Sequence, residues 1–189
     1  MFDLDRFITD CRAALAEATP ELAIREILER AVSDPAEVQA ALGTPRQGEL
    51  SLLHHTPELT VVNVVWVPGM TAPPHNHRMW ALIGLYGGQE DNTFYRTGPD
   101  GLTVAGARQL VTCETALLGT SIIHSVTNPL RTLTGAIHVY GGDFVNAPRS
   151  EWESGQERPY RAAWAKRIMA EANQRWRAEC LAAGMAPPS

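Results

Sequence analysis

Three histidines lie at spacings that could bring their imidazoles together around a metal ion. His75 and His77 are two residues apart and precede the apolar run 79–86, and His124 lies in the run 121–126. Alternate residues of a strand share one face, so His75 and His77 can both point inward and meet His124. Three neutral nitrogen ligands leave metal positions open, as in catalytic rather than structural sites. The alternative is that His75 and His77 lie in a loop and His124 is a hydrogen-bonded core residue.

A second polar pair lies in the apolar run 131–140. His138 and Tyr140 are two residues apart and would share one strand face with Ala136. An imidazole can orient a phenol by a hydrogen bond, and a phenol beside the open side of a metal can donate a proton or a hydrogen bond to a reacting group. Alternatively, Tyr140 fills the barrel and His138 only satisfies its hydroxyl.

These residues belong to a region of short apolar segments separated by turns. Between residues 49 and 145, such segments alternate with Gly, Pro, Asn and Asp. Many short strands with tight turns are typical of a sandwich or barrel, so we expect a β-barrel with the histidines inside. The predicted strands are 50–54, 59–67, 79–86, 89–96, 102–107, 109–111, 115–118, 121–126 and 131–140.

Helical patterns flank the predicted barrel. Apolar residues at helical spacing predict helices within residues 1–43, the second and third beginning at Thr19-Pro20 and Asp34-Pro35. A further apolar stripe predicts a C-terminal helix over residues 159–183, which caps the barrel or forms a dimer contact. We expect the N-terminal helices to pack against the barrel, with a partner-binding arm as the alternative. The whole chain, 1–189, is predicted to form a single domain.

The composition excludes several classes of partner. The chain has 189 residues, is 44% apolar and carries a net charge of −5, without a basic cluster. It can bury a sizeable core, and we expect neither nucleic acid nor a membrane as a partner. Cys11, Cys113 and Cys180 have no CxxC spacing, which indicates free thiols in a reducing compartment. Without a secretory signal or an apolar run of membrane length, we expect a cytoplasmic protein, monomeric or homodimeric.

Residues 69–140 resemble the cupin superfamily. Gly69 with His75 and His77 matches the first half of the first cupin motif, and Gly87 or Gly88 is similar to its closing glycine. The resemblance implies a mainly β fold, the cupin double-stranded β-helix or jelly-roll barrel, with N-terminal helices and a C-terminal helix.

Within the cupins, the chain is similar to the thiol dioxygenases, the cysteine and 3-mercaptopropionate dioxygenase group, and to bacterial cysteine-dioxygenase-like proteins. Many cupins have a glutamate four or five residues after the second histidine, where this chain has Ala81 and Leu82. Its absence points to a three-histidine site, as in thiol dioxygenases. The resemblance implies that the ligands are His75, His77 and His124.

His138-x-Tyr140 resembles two members of that family's outer-sphere Ser-His-Tyr set. Ala136 replaces the serine, so we expect a shortened relay, and Leu82 stands where mammalian-type enzymes have a cysteine crosslinked to the tyrosine. The 3-mercaptopropionate branch has an arginine nine residues after the tyrosine, which is Arg149 here. The alternative for Arg149 is a surface residue in a loop.

The resemblance implies a non-haem iron(II) enzyme that oxidises a small thiol to a sulfinate with O2, with nickel, manganese or zinc as other possible metals. Tyr140, oriented by His138, would hydrogen-bond the reacting oxygen. Arg149, or failing it Arg78 or Arg96, would hold a substrate carboxylate. Trp80 would help to close an apolar pocket, or would only pack in the barrel. His54 is the remaining substrate-binding candidate, at the pocket mouth, with the alternative that it does not reach the pocket.

The sequence leaves two other functions open. One is a different metal-dependent cupin enzyme, either a carbon–carbon cleaving dioxygenase or an isomerase. The other is a non-catalytic cupin that binds a small molecule.

Overall fold

The chain folds into two antiparallel β-sheets with helices at both ends. The computed structural model describes residues 1–185, except for the side chain of Trp164. In chain order the elements are α1 (Leu4–Ala14), α2 (Pro20–Val32), α3 (Pro35–Leu42), β1 (Glu49–His55), β2 (Thr60–Trp66), β3 (Thr71–Asn76), β4 (Ala81–Gly87), β5 (Gln89–Gly98), β6 (Gly101–Val111), β7 (Thr115–Leu118), β8 (Ile123–Thr127), β9 (Thr134–Tyr140), β10 (Ser150–Glu153), β11 (Gln156–Pro159) and α4 (Ala162–Ala182).

The strand order is that of a jelly roll. One sheet has the order β1-β2-β9-β4-β7 and the facing sheet has the order β11-β10-β3-β8-β5-β6. Successive strands from β2 to β5 alternate between the two sheets, as do β7, β8 and β9, which is the double-stranded β-helix of cupins. The predicted fold class is therefore confirmed.

The central strands of the five-stranded sheet are buried on both faces because period-two alternation divides their apolar side chains. In β2, Val62, Val64 and Trp66 point into the space between the sheets, where they meet Val126 of β8. Val61 points the other way and packs with Leu28 of α2 in a second cluster, formed by this sheet and the N-terminal helices. The helices thus pack against the barrel as predicted.

Capping groups fix where two of the helices begin. The Asp3 carboxylate accepts a hydrogen bond from the Arg6 amide at 2.9 Å, and the Asp34 carboxylate accepts from the amides of Ala36 and Glu37 at 3.1 and 3.3 Å. Such bonds satisfy amides that have no partner within the helix.

The C-terminal helix closes against the barrel. The Asn173 amide group donates to the Gly48 carbonyl at 2.8 Å, and its oxygen accepts from the Gly48 amide at 2.7 Å. Met169 and Trp176 of α4 pack against the cluster between the sheets. Among the described residues, none of the helices combines the length and the apolar character that spanning a membrane would require.

Three features of the architecture differ from the sequence-based expectation. Residues 71–76 form a strand of their own, β3, which the pattern did not predict. Residues 101–111 form one continuous strand, where two were predicted. Beyond residue 145 the chain adds the hairpin β10–β11, whose residue Glu151 pairs with His75 of β3, and the C-terminal helix begins at Ala162.

Candidate metal centre

The three predicted histidines meet between the two sheets. His75 on β3 lies directly opposite His124 on β8, and His77 follows the end of β3. The ring centroids of His75 and His124 are 4.7 Å apart, and each lies 5.1 Å from the His77 ring. One ring nitrogen from each histidine falls within 4.8 Å of the other two. The strands thus bring together the residues that the sequence predicts as metal ligands.

Hydrogen bonds on the outer side of two rings set their orientation. His75 Nδ1 lies 2.9 Å from the Pro73 carbonyl oxygen, and His124 Nδ1 lies 2.9 Å from Asn92 Oδ1. Both oxygens are acceptors, so each Nδ1 carries the proton and each Nε2 presents a lone pair. Such partners are the usual support of histidines that bind metals.

Burial keeps the three imidazoles neutral. It lowers the pKa of His75 to about 4 and holds the pKa values of His77 and His124 well below their usual range, with the neighbouring imidazoles adding to the shift for His77 and His124. His75 and His77 place their Nε2 atoms 3.2 Å apart, and His124 Nε2 is buried without a hydrogen-bond partner. Neutral nitrogen donors that converge in this way fit a divalent metal ion.

A polar chain runs from this group into the barrel. Tyr140, whose ring centroid lies 5.0 Å from that of His77, is hydrogen-bonded through its hydroxyl to His138 Nδ1 at 3.0 Å. On its other side, His138 Nε2 faces Glu90 Oε1 at 3.5 Å, and the Trp66 indole N–H donates to that same oxygen at 2.6 Å. The inward His138–Tyr140 pair is therefore present, and a buried carboxylate continues it.

Aromatic rings and an arginine form a column beside the centre. Phe144 stacks on Tyr140 with centroids 3.8 Å apart, and the Arg149 guanidinium lies 3.9 Å from the Phe144 centroid and 3.8 Å from that of Tyr160. Arg149 is 7% exposed and donates to the Phe144 carbonyl, so it is not a surface residue of a loop. Its positive charge contributes to lowering the pKa values of His75 and His77.

Two predicted substrate residues lie elsewhere. Trp80 packs with the cluster on the helix side of the five-stranded sheet and occupies the space beside Gly141, which has no room for a side chain. His54 pairs with Val61, which points to that same face, and Arg12 of α1 contributes to lowering the His54 pKa, after burial. The structure therefore brings neither Trp80 nor His54 to the metal centre, and the predicted positions of both need correction.

Three residues of the site were missed by the sequence analysis. Glu90, Asn92 and Phe94 are two residues apart on β5 and therefore share one face of the strand. This spacing was the sequence signal that could have indicated Glu90 and Asn92. Phe144, which takes the aromatic position expected for Trp80, lies in the loop after β9, where strand periodicity gives no information.

Comparisons with known proteins find cupins at low similarity. No family model matches the sequence. An oxalate oxidase in complex with the substrate analogue glycolate is 18% identical, with a TM-score of 0.43 over 53% of each chain, so the match spans about half the length of that protein. An RmlC-like cupin from Methanocaldococcus jannaschii is 11% identical, with a TM-score of 0.46 over 56% of this chain and 91% of its own.

A cupin superfamily protein from Desulfitobacterium hafniense is 12% identical, with a TM-score of 0.44 over 54% of this chain and 85% of its own. Similarities at this level add nothing about the reaction. The strand order defines the fold, and the converging imidazoles define a candidate metal centre within it.

Proposed function

We propose that the protein is a non-haem iron(II) thiol dioxygenase that converts a small thiol to a sulfinate with O2. The observation that carries this proposal is a buried group of three histidines with a tyrosine hydroxyl held beside it. A ligand set without a carboxylate leaves a divalent metal with its full charge, which favours an anionic ligand such as a thiolate.

His75, His77 and His124 would hold the metal through nitrogens that burial keeps free of protons. Bound iron(II) would lower the pKa of the substrate thiol and supply the electron transfer that joins both atoms of O2 to sulfur. Asn92 and the Pro73 carbonyl restrain two of the rings, so little reorganisation accompanies metal binding.

Tyr140 would serve as a hydrogen-bond donor to the reacting oxygen. Burial raises the pKa of Tyr140 well above its usual range, so the phenol keeps its proton at neutral pH. Its hydroxyl is held by His138 and its ring lies against His77 and Phe144, which restricts its movement. A restrained donor in a site that excludes water stabilises developing negative charge more strongly than one in solution.

Arg149 would bind a carboxylate on the substrate. The side chain is buried, yet its Nε has no hydrogen-bond partner among the described residues. A guanidinium presents parallel N–H groups that match the two oxygens of a carboxylate. Stacking on Phe144 and Tyr160 fixes the plane of this group. We therefore propose that the thiol substrate carries a carboxylate, as cysteine and 3-mercaptopropionate do.

Oxygen uptake tests this function directly. The protein is reconstituted with iron(II) without oxygen, then mixed with cysteine, 3-mercaptopropionate or cysteamine in an oxygen electrode. We expect uptake with at least one carboxylate-bearing thiol, and none with His124→Asn, which removes a ligand. Full iron occupancy without uptake for any thiol would contradict the sulfur chemistry and leave an isomerase or a binding protein.

A further inference from the structure

Glu90 is a buried acidic residue of the polar chain that runs from the candidate metal centre. It lies on β5 in the six-stranded sheet and reaches across the interior to His138 on β9 of the facing sheet. Its side chain is completely buried, and Oε2 has no hydrogen-bond partner among the described residues. A buried carboxylate is stable only where a donor or an opposite charge compensates for the loss of water.

The donors around Glu90 account for one of its oxygens. The Trp66 indole N–H donates to Oε1 at 2.6 Å. The indole is a neutral donor, so it does not balance the negative charge of the carboxylate. His138 Nε2 is the nearby group that can carry the opposite charge, 3.5 Å from that oxygen. This separation is longer than a typical hydrogen bond, yet Nε2 is itself buried without a partner, so a small rotation would bring it within hydrogen-bond distance of the carboxylate.

We propose that Glu90 and His138 form a carboxylate–imidazolium pair, and that Glu90 is the residue that positions Tyr140 for the reaction. In an imidazolium both ring nitrogens are donors. Nε2–H would then face Glu90, and Nδ1–H would donate to the Tyr140 oxygen 3.0 Å away. Because that oxygen accepts from His138, the hydroxyl hydrogen of Tyr140 is free to turn toward the three histidines.

With Glu90 in this position, the alanine at position 136 does not leave His138 without support. Ala136 shares the inward face of β9 with His138 and has no polar atom with which to support it. Glu90 supplies that support from the opposite sheet, so the relay is completed by another residue and is not shortened. The inference rests on the proposed function for its kinetic consequence, whereas the charge state of His138 can be measured without turnover.

Nitrogen NMR of the histidine rings tests the pair. The protein is labelled with nitrogen-15 histidine and loaded with diamagnetic zinc(II), and the His138 signals are assigned by their loss in His138→Gln. We expect both ring nitrogens of His138 to carry protons at neutral pH in the native protein. In Glu90→Gln, which keeps the shape and the Trp66 acceptor but removes the charge, one of them loses its proton.

The matched control is Glu49→Gln, because the Glu49 carboxylate also accepts from a side-chain N–H, that of Asn63 at 3.1 Å, at a distance from the centre. It should leave the His138 signals unchanged, and Glu90→Asp, which keeps the charge, should retain the native pattern in part. A neutral His138 ring in the native protein, or identical signals in Glu90→Gln, would overturn the proposal even if the enzyme oxidises thiols.

The kinetic consequence is measured on the iron(II) protein. We expect kcat of Glu90→Gln to fall by about tenfold, the effect of one charge-assisted hydrogen bond, with KM and iron content unchanged. An unchanged kcat would remove Glu90 from the reaction. If the native protein oxidises no thiol, the proposed function fails, and the NMR result still decides whether the ion pair exists.

Discussion

At the scale of single residues, the centre depends on imidazoles that stay neutral at close range. The Nε2 atoms of His75 and His77 are 3.2 Å apart, a distance at which two charged rings would repel strongly. These two residues and His124 were predictable because residue type and spacing limit what they can do. For Asn92 and Glu90, the pattern of β5 indicates only that they share a face, because their contacts depend on how β5 lies against β8 and faces β9.

Replacement of Tyr140 by phenylalanine tests the hydroxyl next to the metal centre. We expect Tyr140→Phe to retain iron, because the ligands are untouched, and to lower kcat by about a hundredfold, as loss of a preorganised donor does. Tyr95→Phe is the matched control, since the Tyr95 hydroxyl pairs with Ser125 Oγ at 3.0 Å, away from the three histidines. An unchanged rate for Tyr140→Phe would show that the hydroxyl takes no part in the reaction.

Replacement of Arg149 by lysine tests carboxylate recognition. The charge is kept, but the planar fork and its stacking on Phe144 and Tyr160 are lost. We expect KM for a carboxylate-bearing thiol to rise by at least about tenfold, with little change for cysteamine, which has no carboxylate. Arg158→Lys, an exposed arginine paired with Glu153, should behave like the native protein. Equal effects on all thiols would argue against the assignment.

At the scale of elements, β3 shows where sequence periodicity fails. Its residues Thr71-Ala72-Pro73-Pro74 include two prolines, which donate no hydrogen bonds and usually mark strand ends or bulges. The pairing with β8 shifts between Ala72 and His75, so the strand accommodates them through an irregularity. Because of these two prolines, residue periodicity did not predict the strand that carries His75 of the candidate metal centre.

The direction in which Trp80 points also differs from the sequence-based prediction. Arg78 adopts a left-handed conformation with φ of 58°, so the alternation of side chains does not continue from His77 to β4. Trp80 is therefore directed to the helix side, where Gly141 leaves space for it. Facing direction follows a period of two only while the strand is regular.

Thiol reactivity measures how firmly the N-terminal helices pack on the sheet. Cys11 of α1 is fully buried and burial raises its pKa to about 12, whereas Cys113 is exposed in the β6–β7 turn. At pH 8 we expect an aromatic disulfide reagent to modify Cys113 rapidly and Cys11 only as fast as the helix opens. Cys113→Ser should abolish the rapid phase. Rapid modification of Cys11 would show that α1 does not pack as described.

At the scale of the whole molecule, short apolar segments separated by turns predicted a sandwich or a barrel. The double-stranded β-helix was implied by the resemblance of residues 69–140 to the cupins. The jelly-roll order closes the sheets around one interior, and the N-terminal helices bury the outer face of the five-stranded sheet. The hairpin β10–β11 was not predictable, because β11 is exposed along its length and has no apolar alternation.

The low pKa values of the three histidines in the candidate metal centre predict how the stability of the metal-free protein depends on pH. Unfolded histidines protonate near pH 6.5, whereas His75 does so only near pH 4 in the folded protein, and His77 and His124 are also shifted down. Between these pH values the unfolded state binds more protons than the folded state. The contribution of these histidines to the free energy of unfolding is therefore fully present above pH 6.5 and decreases as the pH falls toward 4.

Denaturant unfolding of the metal-free protein across this range measures the effect. Each proton taken up on unfolding contributes a slope of about 1.4 kcal/mol per pH unit. His77→Asn removes one of these titrating groups, so we expect it to reduce the slope of the unfolding free energy against pH by about 1.4 kcal/mol per pH unit. Stability that does not change between pH 6.5 and 4.5 would mean that the rings are not buried as described.

The measurement that tests the central claim most directly is the fate of labelled dioxygen. The iron(II) protein is supplied with a carboxylate-bearing thiol and isotopically labelled O2, and the products are analysed by mass spectrometry. Thiol dioxygenation predicts a sulfinate with both oxygen atoms labelled, and no such product from His124→Asn. A fully iron-loaded protein that gives only disulfide, or sulfinate without the label, would contradict the proposed reaction.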